Sequence, residues 1–121
     1  MILLLALVAS IQSITSGEYP PDPDCQGYRD GSTVAMSECL KSQSDIWARR
    51  LQVEYRAAHS RAEVEVSKLR RAQRDWLRYR DANCEAYDTV KGSIHTILAG
   101  TCWRNMTRDR TLELREMSWI G

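Results

Sequence analysis

Four cysteines, two histidines and a large excess of arginine are the side chains of this 121-residue sequence best suited to chemistry. The cysteines stand at positions 25, 39, 84 and 102. None forms a C-x-x-C pair, and His59 and His95 fall at no ligand spacing from them, so a metal site is not expected. Paired cysteines in an exported chain read most simply as two disulfides. Four cysteines allow three connectivities. Cys25–Cys39 and Cys84–Cys102 are favoured, because each pair lies close in sequence and flanks a turn. Closing a loop of about 14 residues contributes roughly 3 kcal/mol in the chain-entropy picture. Thiols committed in this way leave no nucleophile. The sequence also carries no Gly-rich phosphate loop, no H-E-x-x-H and no G-x-S-x-G. Neither an enzyme nor a cofactor is expected. An N-M-T sequon at Asn105 falls inside a helical pattern and matters only in a glycosylating host.

The arginines are unevenly distributed. Residues 17–48 are acidic, residues 49–80 strongly basic and residues 81–121 slightly acidic, so a formal net charge of +1 hides a dipolar chain. That total does not support nucleic-acid binding. Arg70, Arg74 and Arg78 recur every four residues and form a stripe beside an apolar helix face. They are the first candidates for partner binding, since arginine suits bidentate contacts with carboxylates and is enriched at interfaces. Asp81, three residues after Arg78, is placed for a surface pair. Gln73 and Arg80 point into the apolar stripe itself. A polar group there is costly unless hydrogen-bonded, so both are read as a buried polar network, with Glu38 or a third-helix carboxylate the expected partner of Arg80. Trp103 falls opposite the apolar stripe of its own helix. It is read either as packing on the N-terminal segment or as an exposed anchor for a partner, the role tryptophan often plays at hot spots.

The elements that must position these groups follow from the pattern of apolar residues. Residues 1–16 hold an uncharged apolar run, too short for a stable membrane span and suited to a secretory signal. No cysteine follows the run directly, so a lipid anchor is not expected there. Residues 17–31 contain all three prolines and form a tether pinned by Cys25, with Glu18, Asp22, Asp24 and Asp30 as its acidic groups. The remaining residues, 32–121, form a single domain with no proline, which permits long helices. The first helix runs from about Ser32 to Ala58, capped by Ser32 or Thr33. It has Met36, Leu40, Trp47, Leu51 and Ala58 on one face. The second runs from about Ala62 to Tyr87, roughly 39 Å at the usual rise. Its apolar stripe is Ala62, Val66, Leu69, Trp76, Leu77 and Cys84. The third follows Gly92-Ser93, with Ser93 as cap and Ile94, Ile97, Leu98, Thr101, Cys102, Leu112 and Trp119 on its apolar face. Gly100 lies inside that pattern at a cost of about 1 kcal/mol relative to Ala. No strand pattern of useful length appears. The expected fold is all-α: an elongated helical hairpin plus a third helix, stapled by two disulfides. With so thin a core, the disulfides carry more of the stability.

The string A-Q-R-D-W-L-R-Y-R-D-A-N-C, from Ala72 to Cys84, is the most specific feature of the sequence. Cys25, Thr33, Met36 and Cys39 precede it in the order C…T-x-x-M-x-x-C. Gly92-Ser93, Cys102 and T-x-x-R from Thr107 to Arg110 follow it. Together these resemble the LprI-like family of small exported bacterial proteins, named after a lysozyme inhibitor, over about residues 25–115. The resemblance implies an all-α exported domain of the periplasm or the secreted fraction. It also implies inhibition of lysozyme through protein–protein contact, and it carries over no inhibitory residue. The expected function is therefore a protein-binding inhibitor of lysozyme-type glycan hydrolases that occludes the active-site cleft. The alternative is an immunity or other envelope interaction protein with a non-lysozyme partner. No stable membrane span is expected once the signal is removed.

Overall fold

The computed structural model describes residues 19–25, 31–61 and 63–120. The expected secretory signal and part of the expected tether lie outside the described residues. Three helices follow one another: α1 (Thr33–Arg61), α2 (Val66–Tyr87) and α3 (His95–Met117). No strand occurs among the described residues, and none of their helices is long and apolar enough to cross a membrane. The all-α fold and both expected disulfides, Cys25–Cys39 and Cys84–Cys102, are present.

Ser32 starts α1. Its hydroxyl accepts the Ala35 N–H at 3.2 Å and its carbonyl accepts the Met36 N–H, satisfying two of the donors a helix start leaves open. The buried side of α1 is Cys39, Leu40, Gln43, Trp47, Leu51 and Ala58, close to the face its periodicity implies. Helix α2 begins four residues later than the pattern suggests. Its 22 residues make it roughly 33 Å long. It buries only Leu69, Gln73 and Cys84; Val66 and Leu77 are exposed. Helix α3 starts without a side-chain cap, so Ser93 does not serve as one. The turn before it is closed by Gly92 at φ 88°, in the left-handed region that glycine enters without penalty. Asp88 and His95, 2.7 Å apart, bridge that turn.

Helix α3 is central. It packs along α1 on one side and against α2 on the other. Helices α1 and α3 run parallel and in register, through Ser37 to Thr96 (2.8 Å), Leu40 beside Gly100, and Gln43 to Arg104 (2.7 Å). A Cβ on residue 100 would stand 3.2 Å from the Leu40 Cβ. The glycine that weakens α3 locally is what lets α1 approach. The three helices meet in one cluster of Leu51, Ala58, Leu69 and Leu114, flanked by Tyr55, Val64, Trp76 and Met117.

The interior face of α3 differs from the expected one. It is Thr107, Arg110, Thr111 and Leu114, with Cys102 turned toward α2, while Leu112 and Trp119 are exposed. Trp103, Thr107, Thr111 and Leu114 are spaced as one helix face, so Trp103 belongs to the interior side rather than opposite it. The reason is chemical. Thr111 donates its hydroxyl to the Thr107 carbonyl at 2.7 Å, and Arg110 is hydrogen-bonded. Polar residues can therefore line this interior, and a scan for apolar periodicity passes over them.

Candidate partner-binding site

The arginine stripe lies on α2, with all three of its guanidinium groups exposed. Among the described residues, Arg70, Arg74 and Arg78 have no ion-pair partner. Asp81, the expected mate of Arg78, is held by Arg80 at 3.2 Å instead. Arg70 and Arg74 border a cleft of about 230 Å³ where α2 splays from α1. Leu51, Tyr55, Gln73 and Leu77 supply its less charged walls. Arg78 stands outside this lining. The cleft exists because α2 turns its buried residues toward α3 and leaves little apolar surface for α1.

Gln73 and Arg80 are built into two separate clusters. The Gln73 side-chain carbonyl accepts the Arg110 Nε–H at 3.0 Å. Arg110 also donates to Glu113, and its Nη2 has no partner although it is buried. Arg80 lies about two helical turns further along α2. Its guanidinium covers the Trp103 ring at 3.9 Å and the Trp76 ring at 5.1 Å, and it donates to Asp81. Neither Glu38 nor a third-helix carboxylate pairs with it. Such cation–aromatic stacking strengthens as water is excluded. Burial lowers the Arg80 pKa from its ordinary value, opposed by the hydrogen bond and charge of Asp81. Trp103 is thus half-buried under Arg80 rather than a free anchor.

The acidic tether is also engaged. Asp22 accepts the Trp47 indole N–H at 2.6 Å and pairs with Arg50 at 3.4 Å. Arg50 further donates to the Pro20 carbonyl and lies over the Tyr19 and Trp47 rings. Tyr19 donates to Glu54, and Arg115 approaches its ring from α3. Burial, then the Glu54 hydrogen bond and charge, push the Tyr19 phenol up to about 12. Gln43 reaches the Pro23 carbonyl and also accepts from Arg104. The Arg104 pKa is lowered by burial and by the charge of Arg108. With Cys25 bonded to Cys39, residues 19–25 are fastened to α1, and Asp22 is taken up within the molecule.

A family model described as lysozyme inhibitor LprI matches residues 25–114. The chain belongs to the LprI lysozyme-inhibitor family. An uncharacterised protein of Rhizobium meliloti is similar to it, at 41% identity over 51 residues. That match covers 40% of this chain and 37% of the relative's length. No solved structure matches.

The LprI match includes both disulfides, the Gln73–Arg110 contact and the whole arginine stripe of α2. Several residues of this LprI chain become visible only in the fold. Tyr55 faces the arginine cleft because α1 and α2 diverge there. Arg110 looks like one more charge on an exposed helix until Gln73 is seen opposite it. Asp22 and Arg50 are 28 residues apart in sequence, and no local spacing links them.

Proposed function

We propose that this LprI-family protein is an exported inhibitor that occludes the active-site cleft of a lysozyme-type glycan hydrolase through the α2 arginines. The observation that supports this is the set of exposed guanidinium groups without ion-pair partners among the described residues, two of them beside a cleft with apolar walls. A glycosidase cleft of this type works with two carboxylates. A guanidinium placed between them satisfies both charges by bidentate contact and leaves no room for substrate. Leu77 and Tyr55 give the contact an apolar seat, which excludes water and strengthens the ionic part. Two intramolecular disulfides suit the oxidising compartment in which such an enzyme would be met.

Lysis of cell walls by lysozyme, followed by turbidity, is the direct test. The oxidised protein is expected to inhibit at micromolar concentration. Replacing Arg70 and Arg74 with Ala should weaken inhibition by about tenfold or more, about 1.4 kcal/mol. Both side chains are exposed, so helicity and melting temperature should stay unchanged. Full lysozyme activity at micromolar inhibitor overturns the reading. Inhibition with unchanged potency in the double variant rejects the surface and keeps the function.

A second reading rests on charge. The cleft rim is basic and Asp22 is consumed internally, so the surface favours an acidic partner over a strongly basic lysozyme. An immunity protein or envelope adaptor with an acidic partner fits that electrostatics. Co-purification from envelope extract of an acidic protein other than lysozyme, lost in the same double variant, would favour it.

A further inference from the structure

A second cleft, which shares no lining residue with the arginine cleft, lies where the end of α1 meets the turn that follows α3. Its volume is about 420 Å³, within the roughly 300–1,000 Å³ of small-molecule sites. One wall is Trp119, 77% exposed. Glu54, Arg56, Ser60, Arg61 and Ser118 face it. A further cavity of about 470 Å³, lined by Leu112, Arg115, Glu116 and Trp119, adjoins this residue. The Trp119 side chain thus borders two open clefts.

Leaving an indole in water forgoes a large burial gain. Trp119 is nevertheless held by its backbone. Its N–H bonds to the Glu116 carbonyl at 3.1 Å, and that of Ile120 to the Met117 carbonyl at 3.1 Å. The Ile120 carbonyl accepts from the Glu63 N–H in the α1–α2 connection at 3.4 Å. The indole therefore stands on a fastened turn, and presenting it costs little ordering on binding.

The polar lining says what it is presented to. Ser60 and Ser118 both donate their hydroxyl protons to carbonyls of their own helix turns, which leaves their oxygens as acceptors. Glu54 is an acceptor that already receives one proton from Tyr19. Arg56 and Arg61 are exposed donors without an ion pair among the described residues. Donors and acceptors surround one aromatic plate: Arg56, Arg61 and Arg115 stand with the Glu54 carboxylate and the two serine oxygens, while Glu116 lines the adjoining cavity. The aromatic plate and the neutral serine oxygens favour a ligand that stacks and hydrogen-bonds over one held by charge alone. A ligand with a C–H face and a rim of hydroxyls matches it.

We propose that this cleft is a saccharide-binding site, with the pyranose ring stacked on Trp119 and its hydroxyls or acetamido carbonyl bonded by Arg61, Ser60 and Ser118. The site is separate from the α2 arginines and does not rest on them.

The test is titration of the full oxidised chain with tri-N-acetylglucosamine into the millimolar range, followed by tryptophan emission and calorimetry. The wild type is expected to bind with a change in indole emission. Trp119→Ala should weaken binding by about tenfold or more. Arg61→Ala should weaken it several-fold, and Trp119→Phe should retain part of it. None of the three should shift the melting temperature, since both side chains are exposed, nor change the potency of lysozyme inhibition. Absence of saccharide binding by the wild type overturns the proposal, as does equal binding by Trp119→Ala. Loss of lysozyme inhibition in Trp119→Ala without saccharide binding by the wild type also overturns it, and makes this face a protein-docking surface.

Discussion

Removing the Gln73 side chain should destabilise the protein more than its neutral character suggests. Gln73 and Arg110 are 8% and 9% exposed, and their 3.0 Å hydrogen bond is the contact that joins α2 to the buried guanidinium of α3. The Arg110 Nη2 already lacks a partner. In Gln73→Ala the Nε–H would lose its acceptor as well, leaving Glu113 alone to answer the charge. A hydrogen bond to a charged group contributes about 1.5–3 kcal/mol, and the truncated side chain leaves a void in addition. The expected loss is about 3 kcal/mol. Arg110→Met should cost less, about 1–2 kcal/mol, because the Glu113 it abandons is exposed to water and only the Gln73 carbonyl is stranded. Replacing both, as Gln73→Leu with Arg110→Met, removes the stranded groups together and fills the space with apolar atoms. The double variant should lie within about 1 kcal/mol of wild type, as when buried ionic groups are exchanged for hydrophobic ones. Urea denaturation of the oxidised protein, read by far-UV circular dichroism, gives all four corners of the cycle when Gln73→Leu alone is included. A coupling of about 3 kcal/mol is expected. If Gln73→Ala costs less than about 0.5 kcal/mol, or the double variant costs the sum of the singles, the polar contact does not hold α2 to α3 and the reasoning fails.

Two further outcomes follow from the same structure. Cys84 and Cys102 are 18 residues apart and join α2 to α3, so replacing both with Ser should cost about 3 kcal/mol, measured by chemical denaturation without reductant. Tyr19, its phenol pushed up to about 12, stays neutral in the folded state at a pH where an unfolded chain ionises it. Its stabilising contribution is complete below pH ~10 and is lost as pH rises toward 12. Ultraviolet titration should show a late phenolate step that Tyr19→Phe abolishes, and the absence of any such late step would contradict the Glu54 contact.

The parts of this fold that local spacing encodes were legible, and those set by the third dimension were not. Cys25–Cys39 and Cys84–Cys102 could be paired because each closes a short loop across a turn. The face of α1 could be read because Leu40, Trp47, Leu51 and Ala58 are apolar and face one way. Helix α3 defeats the same reasoning. It is covered on two sides, so it has no single stripe, and close approach to α1 demands Gly100 and threonines where apolar periodicity would demand leucine. Apolar periodicity there selects Leu112 and Trp119, which are apolar but outward. Recognition of the family came from the residues around Trp76, whose order along the chain is itself the signal.

The arginines make the same distinction for function. Arg50 stacks on Tyr19 and Trp47, Arg80 on Trp76 and Trp103, and Arg110 is buried against Gln73, while Arg70, Arg74 and Arg78 remain in water without an ion pair among the described residues. Nothing in their local sequence separates the two groups; Arg78 and Arg80 are two residues apart. What separates them is helical phase, about 200° between those two positions. One faces an aromatic pair on α3 and the other faces solvent. Charge counted along the chain overstates the surface available to a partner. Only guanidinium groups left over by the packing retain bonding capacity for another molecule, which narrows the candidate surfaces to one flank of α2 and the end of α1 that carries Arg56 and Arg61.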